Sequence, residues 1–141
     1  MANPRNTVAF DDIGSLTATY LIDNSTITYD VTKVGGSAQI GLAVTISANK
    51  TVALVGDAGA VHGRLQLVEA DNKATVQVDG YMKLPGGTSA TLTPGTRVVG
   101  ALLVAAKGYV RSVAAATLAE VAAGRGEIID ATDTANVVVN L

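Results

Sequence analysis

Cysteine and tryptophan are both missing from this chain of 141 residues. Without thiols there are no disulfides, no thiolate metal sites and no cysteine nucleophile, and the redox compartment stays open. Histidine occurs once, at His62, so a metal site would have to be completed by carboxylates alone. Aromatic residues make up 4% of the chain, which argues against a stacking platform for sugars or bases. Charge is also scarce. Asp, Glu, Lys and Arg account for 16% of residues, against about 25% in ordinary globular domains.

The 10 basic and 12 acidic residues give a net charge of −2 and form no run of either sign. Nucleic acid finds no electrostatic footprint in such a pattern. The opening MANPRNTVAFDDIG has no apolar signal-peptide core, and the longest strongly apolar run, residues 98–106 (VVGALLVAA), is too short to span a bilayer. The chain therefore reads as soluble and unexported, with no membrane, nucleic acid, cofactor or small-molecule substrate expected.

What is abundant is apolar and small: 48% of residues are hydrophobic and 15 are glycine. With so few charges, Thr, Ser, Ala, Gly, Asn and Val must cover much of the surface. Either subunit contacts cover the uncharged patches or small residues simply fill turns, and composition leaves both readings open.

A chain of this length fits one domain that buries roughly 68% of its unfolded surface. The opening residues contain Pro4 and no periodic pattern, so residues 1–14 read as an extended N-terminal arm and 15–141 as a single β-rich domain. Within that arm Asn3, Pro4, Arg5 and Phe10 are the candidate contacts to a neighbour in an assembly.

Alternation of apolar and polar residues predicts strands at 16–21 (LTATYL) and 26–34 (TITYDVTKV), joined through Asp23, Asn24 and Ser25. Residues 39–47 and 51–55 follow around an Asn49-Lys50 turn, and their nearly continuous apolar character fits a strand pair covered on both faces. The strongest local signal lies at 64–79. Leu65 and Leu67 point inward there, Ala74, Val76 and Val78 alternate with polar residues, Asp71-Asn72 makes the turn, and the phase slips near Val68 as at a bulge.

Further strands are predicted at 81–84 and 88–92, ended by Pro85-Gly86-Gly87 and Pro94-Gly95, then at 97–104 and 108–113 around Lys107-Gly108. Residues 114–123 (AAATLAEVAA) form the one short helix, stopped by Gly124, with Leu118 and Val121 facing the sheet and Glu120 exposed. Strands at 127–130 and 136–141 close the chain. The fold class is mainly β, a compact β-barrel or β-sandwich that admits a β-tulip-like form.

Little in this framework can do chemistry. Ser37, Ser89 and Ser112 lie in no G-x-S-x-G elbow that would pair one of them with His62. Adjacent Asp11 and Asp12 point to opposite sides of an extended chain. Asp57, Asp71 and Asp79 sit beside Gly or Asn, where turns favour Asp for backbone reasons, and Gly56-Asp57-Ala58-Gly59 lacks the lysine of a phosphate cradle. No catalytic, cofactor-binding or metal residue is expected, and the chain reads as a non-enzyme.

Residues 61–99 resemble part of a bacteriophage capsid decoration (cement) protein. The likeness is carried by Gly63 leading an alternating strand, Val76-Gln77-Val78-Asp79-Gly80, Leu84-Pro85-Gly86, and Leu92-Thr93-Pro94-Gly95-Thr96-Arg97-Val98, and the ending Ile129-Asp130-Ala131-Thr132-Asp133 with Val137-Val138-Val139 is similar too. The resemblance covers roughly the C-terminal two-thirds. It implies a β-rich virion protein, made in the host cytoplasm, that joins the outer surface of an assembled capsid as a homotrimer and clamps neighbouring major capsid subunits. A receptor- or carbohydrate-binding β-module of a phage tail or fibre is the alternative.

Overall fold

The computed structural model describes residues 13–88, 90–114 and 117–141. Five short strands with β-branched or alternating sequences come first: β1 (Leu16–Ile22), β2 (Ala43–Ala48), β3 (Thr51–Leu54), β4 (Gly63–Val68) and β5 (Lys73–Asp79). They close into a barrel in the order β1-β3-β2-β4-β5. Only β1 and β3 run parallel, and their ladder is short, with Leu21 opposite Thr51 and Ile22 opposite Val52. Inside the barrel Ile22, Ile27, Val44, Val52, Leu65, Val68, Ala74 and Val76 form one buried cluster.

The rest of the chain builds a second layer on this barrel. Strands β6 (Tyr81–Leu84), β9 (Glu127–Asp130) and β10 (Val137–Asn140) form a sheet ordered β6-β10-β9, while β7 (Val98–Leu103) and β8 (Ala106–Ser112) form a hairpin. Their inward side chains, among them Leu84, Val98, Val110, Ile128 and Val139, pack with Ala43 at the start of β2 and with Val55 and Val61 from the connection between β3 and β4. Neighbouring Ala43 and Val44 thus serve different clusters, which is why this part of the sequence reads as apolar on both faces. The mainly β class and the barrel expectation hold.

Several local expectations fail for physical reasons. Residues 26–34 are not a strand. The Asp23 carboxylate instead accepts hydrogen bonds from the backbone N–H of Ser25, Thr26 and Ile27 and from both hydroxyls. Burial alone would raise its pKa, but these donors outweigh burial and hold it at about 2. Asp30 makes a similar loop with Thr32. Such local bonds offer the backbone an alternative to a sheet ladder, and the segment ends in a single 3-10 turn at Val34–Gly36.

The bulge falls two residues before its expected place. Register between β4 and β5 shifts between Leu65 and Leu67, making Gln66 the extra residue, so Leu67 turns outward to 38% exposure while Val68 turns in. Of the predicted strand at 88–92, the described residues Thr88 and Ala90 to Leu92 form no strand, although the Thr91 carbonyl accepts a bond from the Ser112 N–H. The β7–β8 turn lies at Val104-Ala105, leaving Lys107 and Gly108 inside β8.

Two glycines allow close backbone approach, Gly63 between neighbouring barrel strands and Gly100 between the layers. A Cβ on Gly63 would run into the Gln77 carbonyl, and one on Gly100 into the Gly56 carbonyl and Val55. Gly56 itself has room, its nearest neighbour being Lys107 at 3.9 Å. Gly100→Ala is therefore expected to cost about 1–3 kcal/mol through overpacking, and Gly56→Ala to stay within about 0.5 kcal/mol. Urea unfolding of the two variants checks the contrast, and equal losses would contradict it.

Candidate functional site

His62 lies just ahead of β4, and its ring meets Tyr20 of β1. The Tyr20 hydroxyl and His62 Nε2 are 2.7 Å apart, with the two rings edge to face at 5.3 Å. Arg125, after the helix, donates from Nη1 to the His62 carbonyl at 2.7 Å and from Nη2 to the Val78 carbonyl at 2.8 Å. Burial first, and the Arg125 charge second, push the His62 pKa below its ordinary value. The ring is a neutral structural group at neutral pH.

The serines are occupied elsewhere. Ser37 donates to Gln39 Oε1 at 2.7 Å, and Ser112 Oγ accepts from the Thr93 N–H at 2.9 Å and meets the Thr96 hydroxyl at 2.7 Å. Ser89 lies outside the described residues. Asp79 bonds its neighbour Gly80, and Asp71 pairs with the exposed Lys73. Among the described residues no group of three His, Asp or Glu side chains is placed to hold a metal ion. Asn3, Pro4, Arg5 and Phe10, like Asp11 and Asp12, also lie outside the described residues.

The described surface instead departs from expectation at the helix. Thr117 caps α1 (Leu118–Ala123) by accepting the Glu120 N–H at 3.1 Å. Thr117-x-x-Glu120 has the capping-box spacing, but the glutamate does not reach back to the cap. Its Oε1 accepts from Arg111 Nη1 and from the Ala114 N–H at 2.8 Å. Arg111 also donates from Nε to Asp57 at 3.1 Å, so one guanidinium joins β8, the Gly-rich loop after β3, and the helix.

That ion cluster rotates the helix against its hydrophobic pattern. Glu120 is 7% exposed, whereas Leu118 is 85% exposed and Val121 is also turned to solvent. The sequence expectation was the reverse. It weighed apolarity and gave no partner to Glu120, because Arg111 is nine residues away in sequence and adjacent only once β8 is formed. Leu103 and Val104 at the hairpin tip are exposed as well, and an open groove of about 640 Å³ runs past Thr88, Thr91, Leu102, Val104, Asp57 and Arg111. A third exposed set, Tyr29, Val31 and Val34, sits on the segment that Asp23 and Asp30 hold out of the sheet.

Such a surface offers apolar contact area rather than reactive groups. No helix among the described residues is long and apolar enough to cross a membrane. Compared with known proteins, the chain matches no family model, no curated protein and no solved structure.

His62 also sets a pH dependence. In the unfolded chain it takes up a proton near pH 6.5, but in the fold only at lower pH, beside Tyr20 and the Arg125 cation. Its contribution to stability is therefore full above that unfolded value and is lost as pH falls. Unfolding free energy is expected to decline as pH falls below about 6.5, and His62→Gln to flatten that decline. An unchanged slope in the variant would assign the effect to other groups.

Proposed function

We propose that this chain is a structural protein that binds the outer surface of an assembled bacteriophage capsid and stabilises it by clamping neighbouring major capsid subunits. The sequence resemblance supplies the capsid, and the exposed side chains of Leu118, Val121, Leu103 and Val104 supply the observation that supports a contact role. The reactive groups singled out in the sequence support it too, because His62, Ser112 and Asp57 are each engaged in holding one part of the fold to another, and Ser37 is taken up by a local bond to Gln39.

Clamping of this kind needs only modest energy from each contact. Self-association, as the homotrimer that the resemblance implies, multiplies contacts through effective concentration, and many copies on one shell share the load. Removing Leu118 and Val121 from the contact surface removes apolar area without touching the Arg111 cluster that orients the helix. That separation makes the reading testable.

Purified chain mixed with expanded, undecorated capsids is expected to co-sediment with them saturably and to raise the temperature at which the shells rupture. Leu118→Ser/Val121→Ser should weaken binding at least tenfold while leaving the unfolding midpoint nearly unchanged. Absence of saturable sedimentation by the unmodified chain would sink the proposal. Binding to glycans in place of shells would favour a tail or fibre module.

A further inference from the structure

Strand β1 has one edge that is only partly used. Its even-numbered residues turn their N–H groups toward β5, as the bond from the Ile22 N–H to the Asn72 carbonyl shows. Odd-numbered residues turn the other way. There the Leu21 N–H reaches the Lys50 carbonyl at 2.8 Å and the Asp23 N–H reaches Val52 at 3.1 Å, which is the whole of the short ladder to β3. Thr17 and Thr19 precede that ladder, so their N–H and C=O groups face an edge that has no strand beside it among the described residues.

The open window has defined ends. Beyond Tyr20 the turn at Asn49-Lys50 closes the edge. Before Leu16 the chain swings aside, with Gly14 at φ 67° and the Ile13 carbonyl accepting from the Tyr81 N–H at 2.9 Å. Between these limits the sequence is Leu16-Thr17-Ala18-Thr19-Tyr20, centred on Ala18.

Natural edge strands are usually blunted by lysine, proline or a bulge on the exposed strand. No charged residue or proline lies between Gly14 and Ile22, and the register irregularity at Leu16 and Thr17 places its extra residue, Val78, on β5 and not on the exposed strand. Leu16, Thr17 and Thr19 are exposed. The window is also self-complementary, because its threonines lie symmetrically about Ala18.

We propose that β1 is a self-association edge: two copies of this chain pair their β1 strands antiparallel about a twofold axis at Ala18. Thr17 of each copy then faces Thr19 of the other, and both residues donate and accept backbone hydrogen bonds, as the closely spaced pairs of an antiparallel ladder require. Ala18 meets Ala18 across the axis, where a small side chain lets the strands approach. Leu16 of each copy lies against Tyr20 of the other, on the same strand face, covering an exposed leucine with an aromatic ring. Threonine pairs and aliphatic-aromatic pairs are favourable across strands, and no like charges are opposed.

The contact is isologous and closes at two units, whether the unit is one chain or a larger assembly. It does not depend on capsid binding, so it stands or falls apart from the function proposed above. Because the N–H of Thr19 points away from β5, Thr19→Pro removes a donor from the open edge without removing one from the barrel. Proline is tolerated at such edge positions.

Sedimentation equilibrium over a wide range of protein concentration tests the pairing directly. The unmodified chain is expected to reach about twice the mass of the Thr19→Pro variant at high concentration, with the amides of Thr17 and Thr19 exchanging hydrogen slowly only where the heavier species is populated. Thr17→Lys/Thr19→Lys, which sets lysines opposite one another, should give the same light species and serves as the comparison if the proline variant fails to fold. Equal masses for the unmodified chain and a folded edge variant, or fast exchange of both amides in the heavier species, would overturn the proposal.

Discussion

The guanidinium of Arg125 is the joint on which the two layers depend. It donates to the carbonyls of His62, at the entry to β4, and of Val78, near the end of β5, while its own backbone pairs with Val98 of β7. The Val78 carbonyl lies where β5 turns over into the second layer, at the residue that the β1–β5 register skips, and the His62 carbonyl lies outside the strands, just ahead of β4. Hydrogen bonds from a charged donor are stronger than neutral ones, and an unfilled buried carbonyl is costly. A planar side chain with parallel donors suits this task better than lysine would. Around that joint, Gly63 lets β4 close against β5, and Gly100 removes the side-chain atom that would hold β7 off Val55 and Gly56.

Much of the barrel is legible in the sequence because its information is local. β6 falls at its predicted residues, β1 and β3 to β5 match within a residue or so, and Asn72 and Lys50 adopt the positive φ that their turns require. The expectation for β2 began four residues too early, and residues 39–42 form turns instead. The failures have a different origin. Residues 26–34 alternate as a strand should, yet carboxylates at Asp23 and Asp30 collect the backbone donors before a partner strand can. Competition between a near side chain and a distant strand cannot be settled from alternation alone, since the pattern says nothing about which donor is reached first.

The helix shows the complementary failure, in which distance rather than proximity decides. Hydrophobic periodicity assigns Leu118 and Val121 to the core, and nothing nearby in sequence argues otherwise. The fold brings Arg111 and the Ala114 N–H to Glu120, and satisfying a carboxylate at that site outweighs the burial of one leucine and one valine. The chemistry candidates follow the same logic. His62 was legible as a lone histidine in a Gly-rich loop, but its partners Tyr20 and Arg125 come from strands and turns far along the chain, and only their meeting shows that the ring closes a seam.

These internal uses of charge bear on the surface. Asp23, Asp57, Arg111, Glu120 and Arg125 are all engaged in holding loops, helix and layers in place. In a chain with 16% charged residues, each ion committed to the interior framework is one fewer on the outside. The uncharged strand edge at Thr17 and Thr19 and the outward leucine and valine of α1 arise from the same shortage. A fold that spends its few charges on internal joints exposes apolar groups and free backbone, and both are the materials from which protein contacts are made.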